Sequence, residues 1–278
     1  MHSLRVTHGV ASDIGLMRQH NEDRFYADPS RGLFIVCDGM GGHQAGEIAS
    51  SRTVEIIPRH LAEAAMDPSL PLLGTACPDF SAATNRLASA VRLANHRVHQ
   101  EAEQSPECNG MGTTVVAAWL IGAVLSIAHV GDSRLYLIRN HILHALTADH
   151  SLVRSQVLSG LLSAEDAEYA SHRHVLTRAV GVHATVDVEL AELPVLHGDI
   201  LLLCSDGLTT GVPADAVLRT VQESSDPQAV SDRLIALSNA AGGTDNTTVI
   251  VAALSQYRPG IWNRIRGRLF AASSTTSY

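Results

Sequence analysis

Short apolar runs, each closed by a carboxylate or a glycine, set the pattern of this chain. Phe34-Ile35-Val36-Cys37 runs into Asp38-Gly39-Met40-Gly41-Gly42, Ile127 to Val130 into Gly131-Asp132, and Ile200 to Cys204 into Ser205-Asp206-Gly207. Gly243-Thr244-Asp245-Asn246 stands just before a fourth run, Thr247-Thr248-Val249-Ile250-Val251. Apolar runs this short, bounded by turn residues, predict buried strands. Each strand brings an aspartate to its own edge, so Asp38, Asp132, Asp206 and Asp245 share one kind of position.

The rest of the pattern predicts a mixed fold. Strands are expected over 4–11, 24–28 and 33–38, then a helix over 47–61 that Pro58 ends early or kinks. The prolines and glycine of 67–79 make that stretch a loop, and Leu87, Val91, Ala94 and Val98 place a helix over 81–103. Strands over 113–120, 123–130, 134–139 and 142–146 are joined by tight turns and therefore pair antiparallel. From Asp149 to Thr177 the chain turns polar, with two short helices (151–159 and 163–169) in an excursion from the sheet. Strands over 186–193 and 199–204 follow. Helices over 213–221 and 227–239, the latter with Asp226 as N-cap and Pro227 at its first position, precede a last strand over 247–254. Helices in groups rather than alternating with strands indicate an α+β fold, two antiparallel sheets covered by helices.

Composition narrows the function. The 278 residues contain no Pro/Ser/Gly-rich linker, so one domain is expected over 1–256, followed by a distinct segment, 257–278. A formal charge of −8 argues against a nucleic-acid binder that works by neutralising phosphates. The four cysteines have no metal-type spacing and read as reduced core thiols, which fits the cytoplasm; no apolar leader opens the chain. Val115 to Val130 is almost wholly apolar but shorter than the ~20 residues a bilayer needs, and Gly122 interrupts it, so a buried hairpin is expected and no transmembrane segment. Fifteen histidines lack cysteine partners at ligand spacing, and none is assigned to a metal.

The chemistry follows from convergence of Asp38, Asp206 and Asp245 at one sheet edge. Two bare carboxylates ~4 Å apart repel by about 4 kcal/mol at an effective dielectric near 20. All the candidate ligands are oxygens, so hard divalent cations, Mg2+ or Mn2+, are the natural counter-charge. Two ions sharing a bridging carboxylate hold and acidify a water between them. Asp38 is the expected bridge, because Gly39 leaves its own carbonyl free to approach a metal. Arg18 is placed to grip a phosphate with its planar fork. Together these describe a metal-dependent phosphoester hydrolase.

Arg18-Gln19-His20-Asn21-Glu22-Asp23, Asp38-Gly39-Met40-Gly41-Gly42, Gly112-Thr113-Thr114, Gly131-Asp132-Ser133-Arg134, Ser205-Asp206-Gly207 and Asp245-Asn246 occur in an order that resembles the metal-dependent type 2C protein serine/threonine phosphatases (the PPM family), in their bacterial branch. The resemblance runs from about Asp13 to Val251. It implies a central antiparallel β-sandwich flanked by helical layers (four layers, α-β-β-α). It also implies hydrolysis of phosphoserine and phosphothreonine in phosphorylated proteins, in opposition to a cognate Ser/Thr kinase. Asp38 would bridge two Mn2+ or Mg2+ ions, Gly39 would give one a carbonyl, and Asp206 and Asp245 would complete the other. Glu22 and Asp23 match positions that act on metal-bound water, Arg18 matches the phosphate-binding arginine, and Asp132 matches a ligand of a weaker third ion shared with Asp206. Residues 149–177 match the flap beside the active site.

The chain departs from the eukaryotic pattern at Met40, which stands where those enzymes carry a histidine taken as general acid. His43 lies three residues on and is the candidate replacement. His172-Arg173-His174 in the flap is either a phosphate contact or an exposed basic cluster. Ile261 to Phe270 is basic and amphipathic and suits docking to a partner or to an anionic membrane surface, and Ala271 to Tyr278 is a Ser/Thr-rich tail. A catalytically weak regulatory or scaffold module of the same fold is disfavoured by the complete acidic set, and a two-metal nuclease by the lack of a basic track.

Overall fold

The computed structural model describes residues 4–41, 45–170, 172 and 174–256. His43 and the whole 257–278 segment lie outside the described residues. The chain begins with β1 (Leu4–Asp13), β2 (Asp23–Asp28) and β3 (Leu33–Met40), followed by the long helices α1 (Ala45–Met66) and α2 (Ala82–Gln104). After a short 3-10 turn come β4 (Gly112–Thr113), β5 (Val115–Ile121), β6 (Val124–Val130), β7 (Arg134–Arg139) and β8 (Ile142–Ala145). The excursion carries α3 (Leu152–Leu158) and α4 (Ala164–Tyr169). Then follow β9 (Glu189–Pro194), β10 (Ile200–Cys204), α5 (Asp206–Gly211), α6 (Ala214–Glu223), α7 (Pro227–Ala240) and β11 (Thr247–Gln256).

Two antiparallel sheets result. One has the order β1-β11-β10-β7-β8; the other has β2-β3-β5-β6-β9, with β4 added beside β3. Alternation along the strands builds three apolar layers from the two faces of each sheet. Phe34, Val36, Leu125, Leu135, Leu203 and Ile250 meet between the sheets. Ile35, Cys37, Val115 and Ala128 point the other way, under Ile57, Leu87, Val91 and Val98 of α1 and α2. Leu202, Cys204 and Val251 pack beneath Leu208, Val217, Val230 and Leu234 of α5, α6 and α7. This is the four-layer α-β-β-α sandwich.

Two elements differ from the sequence expectation. Pro58 does not end its helix: α1 continues to Met66 with Pro58 inside it. An interior proline, which removes one helical hydrogen bond and crowds the preceding turn, costs about 3 kcal/mol, while Leu61 and Ala64, buried beyond it, keep the last turns on the core at roughly 1.5–3 kcal/mol for a full-sized apolar side chain. Helix α5 was not foreseen, because Gly207, Thr209, Thr210 and Gly211 are poor helix formers. The seating of Leu208 against α7 and β11 holds it. The 115–130 run is the expected β5–β6 hairpin, and no helix among the described residues is long and apolar enough to cross a membrane.

Candidate active site

The site residues sit where the chain leaves a strand or crosses between sheets. Arg18 and Glu22 lie in the 14–22 link from β1 of one sheet to β2 of the other. That link is held down by Gly243 O, which accepts from Leu16 N and Met17 N at 2.7 and 3.2 Å. Asn246 fixes it further: its Oδ1 accepts from Glu22 N at 2.8 Å, and its Nδ2 donates to Ile14 O and His20 O at 2.9 and 3.0 Å. One buried side chain thus ties the link to the loop that carries Asp245. Asp38, near the end of β3, donates its N–H to Thr114 Oγ1 at 2.9 Å and accepts from Thr114 N at 2.8 Å. Asp132 lies in the 131–133 turn, where β6 of one sheet passes to β7 of the other. Asp206 opens α5 directly after β10, and Asp245 immediately precedes Asn246 and β11.

These positions converge. A cleft of about 540 Å3 is lined by Arg18, Glu22, Asp38, Asp132, Asp206 and Asp245, with Gly39 and Met40 in its wall and His174 of the flap at its side. The structure therefore brings together every candidate site residue except two. His43 lies outside the described residues. Asp23, only 2 % exposed, sits across the β2–β3 ladder from Asp38 rather than in the cleft, and its Oδ2 accepts from Ser205 Oγ at 2.7 Å. Arg134 does not pair with Asp132 but holds Asp149 through both carboxylate oxygens, at 2.8 and 2.7 Å. In the flap, His172 bonds Gln156 at 2.8 Å, and His174 Nδ1 stands 3.8 Å from Asp206 Oδ2.

Among the described residues five carboxylates face one guanidinium in this lining, and their proton affinities record it. Burial, then the charges of Asp23, Asp206, Asp132 and Asp245, push Asp38 well above the usual carboxylate range. Burial chiefly, with Asp206 and Asp149, lifts Asp132 to about 7. Asp23 is likewise lifted to about 7, by burial against the opposing Ser205 bond. Burial raises Glu22 as well, with Arg18 working against the rise. Arg18 itself is partly desolvated, yet its Nη2 bond to Asp245 Oδ2 at 2.7 Å and the nearby Asp38 and Glu22 hold it charged.

An acidic cluster of this kind calls for a cation, and the donor set fits one. Among the described residues, Asp206 Oδ1 and Asp23 Oδ1 are buried acceptors without a hydrogen-bond partner. Leaving such a group unsatisfied costs about 1–3 kcal/mol, more when it is charged. Carboxylate oxygens and a backbone carbonyl at Gly39 are the ligands hard divalent ions prefer. Three residues the sequence did not single out complete the frame: Thr114 seats Asp38, Ser205 seats Asp23, and Asn246 seats Glu22. All three fall inside the recognised motifs, but only the folded register shows which groups they hold.

The comparisons with known proteins agree with this geometry. The sequence profile of "Protein phosphatase 2C" matches residues 17–248. "Serine/threonine phosphatase stp" of Listeria monocytogenes is 37% identical over 243 residues, covering 86% of this chain and 92% of that protein. "Serine/threonine protein phosphatase PstP" of Mycobacterium tuberculosis is 35% identical over 258 residues, 93% of this chain and 47% of that longer protein. Among solved structures, the catalytic domain of PstP in complex with two manganese ions superposes with a TM-score of 0.76 at 35% identity, covering 91% of this chain and all of that one. With its acidic cleft at the edge of the sandwich and relatives of this kind over nearly its full described length, the chain belongs to the protein phosphatase 2C family.

Proposed function

We propose that this protein is a metal-dependent serine/threonine protein phosphatase whose reaction centre is the cleft between Arg18, Asp38, Asp132, Asp206 and Asp245. The observation that carries the reading is the convergence of these carboxylates from separate strands around the Arg18 guanidinium. Mn2+ or Mg2+, held by Asp38 as the bridge, by Asp206 and Asp245, and by the Gly39 carbonyl, with a third weaker ion on Asp132 and Asp206, would supply Lewis acidity and a water of lowered pKa. The chain's own groups do the rest. Arg18, half exposed at the cleft, offers a planar fork to two phosphate oxygens. Glu22, with its raised proton affinity, takes the proton from the attacking water as its oxygen bonds to phosphorus, and the seryl or threonyl oxygen gains a proton from solvent as its bond to phosphorus breaks. Asp23 acts from behind, holding Ser205 beside Asp206.

The phosphoprotein chain is proposed to lie beside this centre. A second hollow of about 650 Å3 runs on under residues 149–177 and shares Asp132, His174 and Asp206 with the first. That placement supports the flap as the element that reads the substrate around its phosphoresidue, substrates being the products of a Ser/Thr kinase. All four cysteines are free and three are buried, which supports a reducing, cytoplasmic setting. The C-terminal basic stretch is proposed as a docking segment on its composition alone.

A phosphopeptide panel assayed with Mn2+ and with chelator tests the function. Turnover is expected on phosphoserine and phosphothreonine peptides only with the ion present. Asp38→Ala or Asp206→Ala should abolish turnover while circular dichroism stays that of the wild type, and undiminished activity in either refutes the assignment. Metal-independent binding of phosphoproteins without turnover would instead favour a scaffold.

A further inference from the structure

Outside the cleft, His129, His150 and Glu189 bring two imidazoles and a carboxylate within 4.8 Å of one another. The hydrogen bonds tell against a cation there. Gly131 N donates to His150 Nδ1 at 3.1 Å, so that nitrogen carries a lone pair and the ring proton is on Nε2, 2.9 Å from Glu189 Oε2. A cation on Nε2 would shift the proton to Nδ1 and set N–H against N–H. The Arg178 guanidinium, 3.4 Å from Nε2, would repel it as well.

The ring serves instead as a joint. His150 N also donates to Gly131 O at 2.8 Å, so one residue closes both hydrogen bonds of Gly131, the neighbour of Asp132. On its other side His150 O accepts from Thr177 N at 2.7 Å, and Ser151 bridges Leu176, which fastens the two ends of the flap to each other at the same place. Gly131 has little freedom to move away. Its φ is +108°, and a Cβ there would stand 2.6 Å from Thr114 Cγ2, the threonine that seats Asp38. His129, buried and held neutral with its pKa pushed down to about 4 by desolvation and by His150, packs on the His150 ring with centroids 4.7 Å apart.

We infer that His150 is a positioning residue for Asp132: its Nδ1 acceptor fixes the Gly131–Asp132 turn and links the cation affinity of Asp132 to the seating of the flap. The inference rests on the reading above that Asp132 helps to hold a weaker ion with Asp206. Groups that orient a metal ligand from behind typically alter metal affinity by about 10–100-fold when replaced.

The test uses the full chain and two substitutions that separate the ring nitrogens. In His150→Asn the Oδ1 takes the place of Nδ1 and keeps the acceptor for Gly131 while giving up Glu189. In His150→Gln the side chain reaches Glu189 and leaves Gly131 N–H without its acceptor. Mn2+ binding is followed by calorimetry in these, in the wild type, in Asp132→Asn and in Asp132→Asn/His150→Gln. His150→Gln is expected to weaken the low-affinity site roughly tenfold or more and to leave the tighter sites unchanged, while His150→Asn keeps all of them near wild type. In the Asp132→Asn background, which lacks the weak site, adding His150→Gln should change nothing. Wild-type binding in His150→Gln, or an equal loss in both His150 variants, overturns the inference alone. A weak site that survives Asp132→Asn overturns the reading of Asp132 and this inference with it. Should His150→Gln fail to fold, the 15N resonances of His150 in the wild type decide. An unprotonated Nδ1 whose signal shifts as Mg2+ fills the weak site, and does not shift in Asp132→Asn, supports the inference, and a signal indifferent to Mg2+ overturns it.

Discussion

At the scale of single residues, the site is built from acids held in a state they would not choose in water. Asp132 has a folded pKa of about 7 against an ordinary value of 3.8. Because the folded value is the higher one, the chelated protein binds more protons than its unfolded chain between these limits. The Asp132 contribution to stability is therefore whole below about pH 4 and is lost as pH rises through about 7, on the order of 4 kcal/mol in all. Buried His129, pushed down to about 4, works in the opposite sense over the same range, so the slope must be read as a difference. In chelator, Asp132→Asn is expected to stabilise the protein more at pH 8 than at pH 5, measured by urea unfolding; a gain that does not depend on pH would contradict the buried-acid account. Arg18 answers to different physics. It contacts ground and transition states alike, so Arg18→Ala should raise KM for a small phosphoester more than it lowers kcat. A fall in kcat with KM unchanged would contradict its assignment as phosphate grip.

At the scale of elements, the acids reach the cleft only because backbones approach closely around them. Gly39 in β3 lies against the first turn of α1: a Cβ at Gly39 would stand 2.1 Å from Gly46 O and 2.8 Å from Glu22 O, both backbone atoms. Gly39→Ala must therefore push α1 or the 14–22 link outward. A loss of about 1–3 kcal/mol is expected, at the upper end because neither obstacle is a side chain that can turn away. Thermal unfolding would show it, and an unchanged midpoint would mean that the two elements pack less tightly than described. The same closeness explains what could be read from the sequence. Buried strands bordered by an aspartate were legible because apolar runs and turn residues are local signals, and these marked β3, β6, β10 and β11 with their acids. Helix α5 was not, since what holds its glycines and threonines in a helix is Leu208 packing on α7 and β11, a long-range cause. Pro58 misled for a related reason: local propensity predicted an end, and burial beyond it prevailed. Asp23 was legible as an acid of the site but not as the one that sits behind it, because its burial depends on pairing with β3 and on Ser205.

At the scale of the whole molecule, the cleft is a seam between the two sheets. Asp38 belongs to one sheet, Asp206 and Asp245 adjoin strands of the other, and Asp132 and the Arg18–Glu22 link occupy connections between them. Ions shared by these groups would clamp sheet to sheet, so binding and folding are coupled. At a free Mn2+ concentration 100 times its dissociation constant the stabilisation is about 2.7 kcal/mol, which for a domain of this size raises the melting midpoint by roughly 5–10 °C. Without the ion the same seam is a weakness, because burial beside Asp23, Asp206, Asp132 and Asp245 makes the ionised form of Asp38 costlier than in the unfolded chain and raises its proton affinity. Asp38→Asn replaces that acid by a neutral group of the same shape. Measured in chelator near neutral pH it is expected to melt above the wild type, and on adding Mn2+ the order should reverse, the wild type rising and the variant staying nearly where it was. Such a crossing would identify the cost of the acidic cluster in the folded state as the counterpart of its affinity for cations; a variant less stable than the wild type in chelator would show that Asp38 holds the sheets together by some other contact.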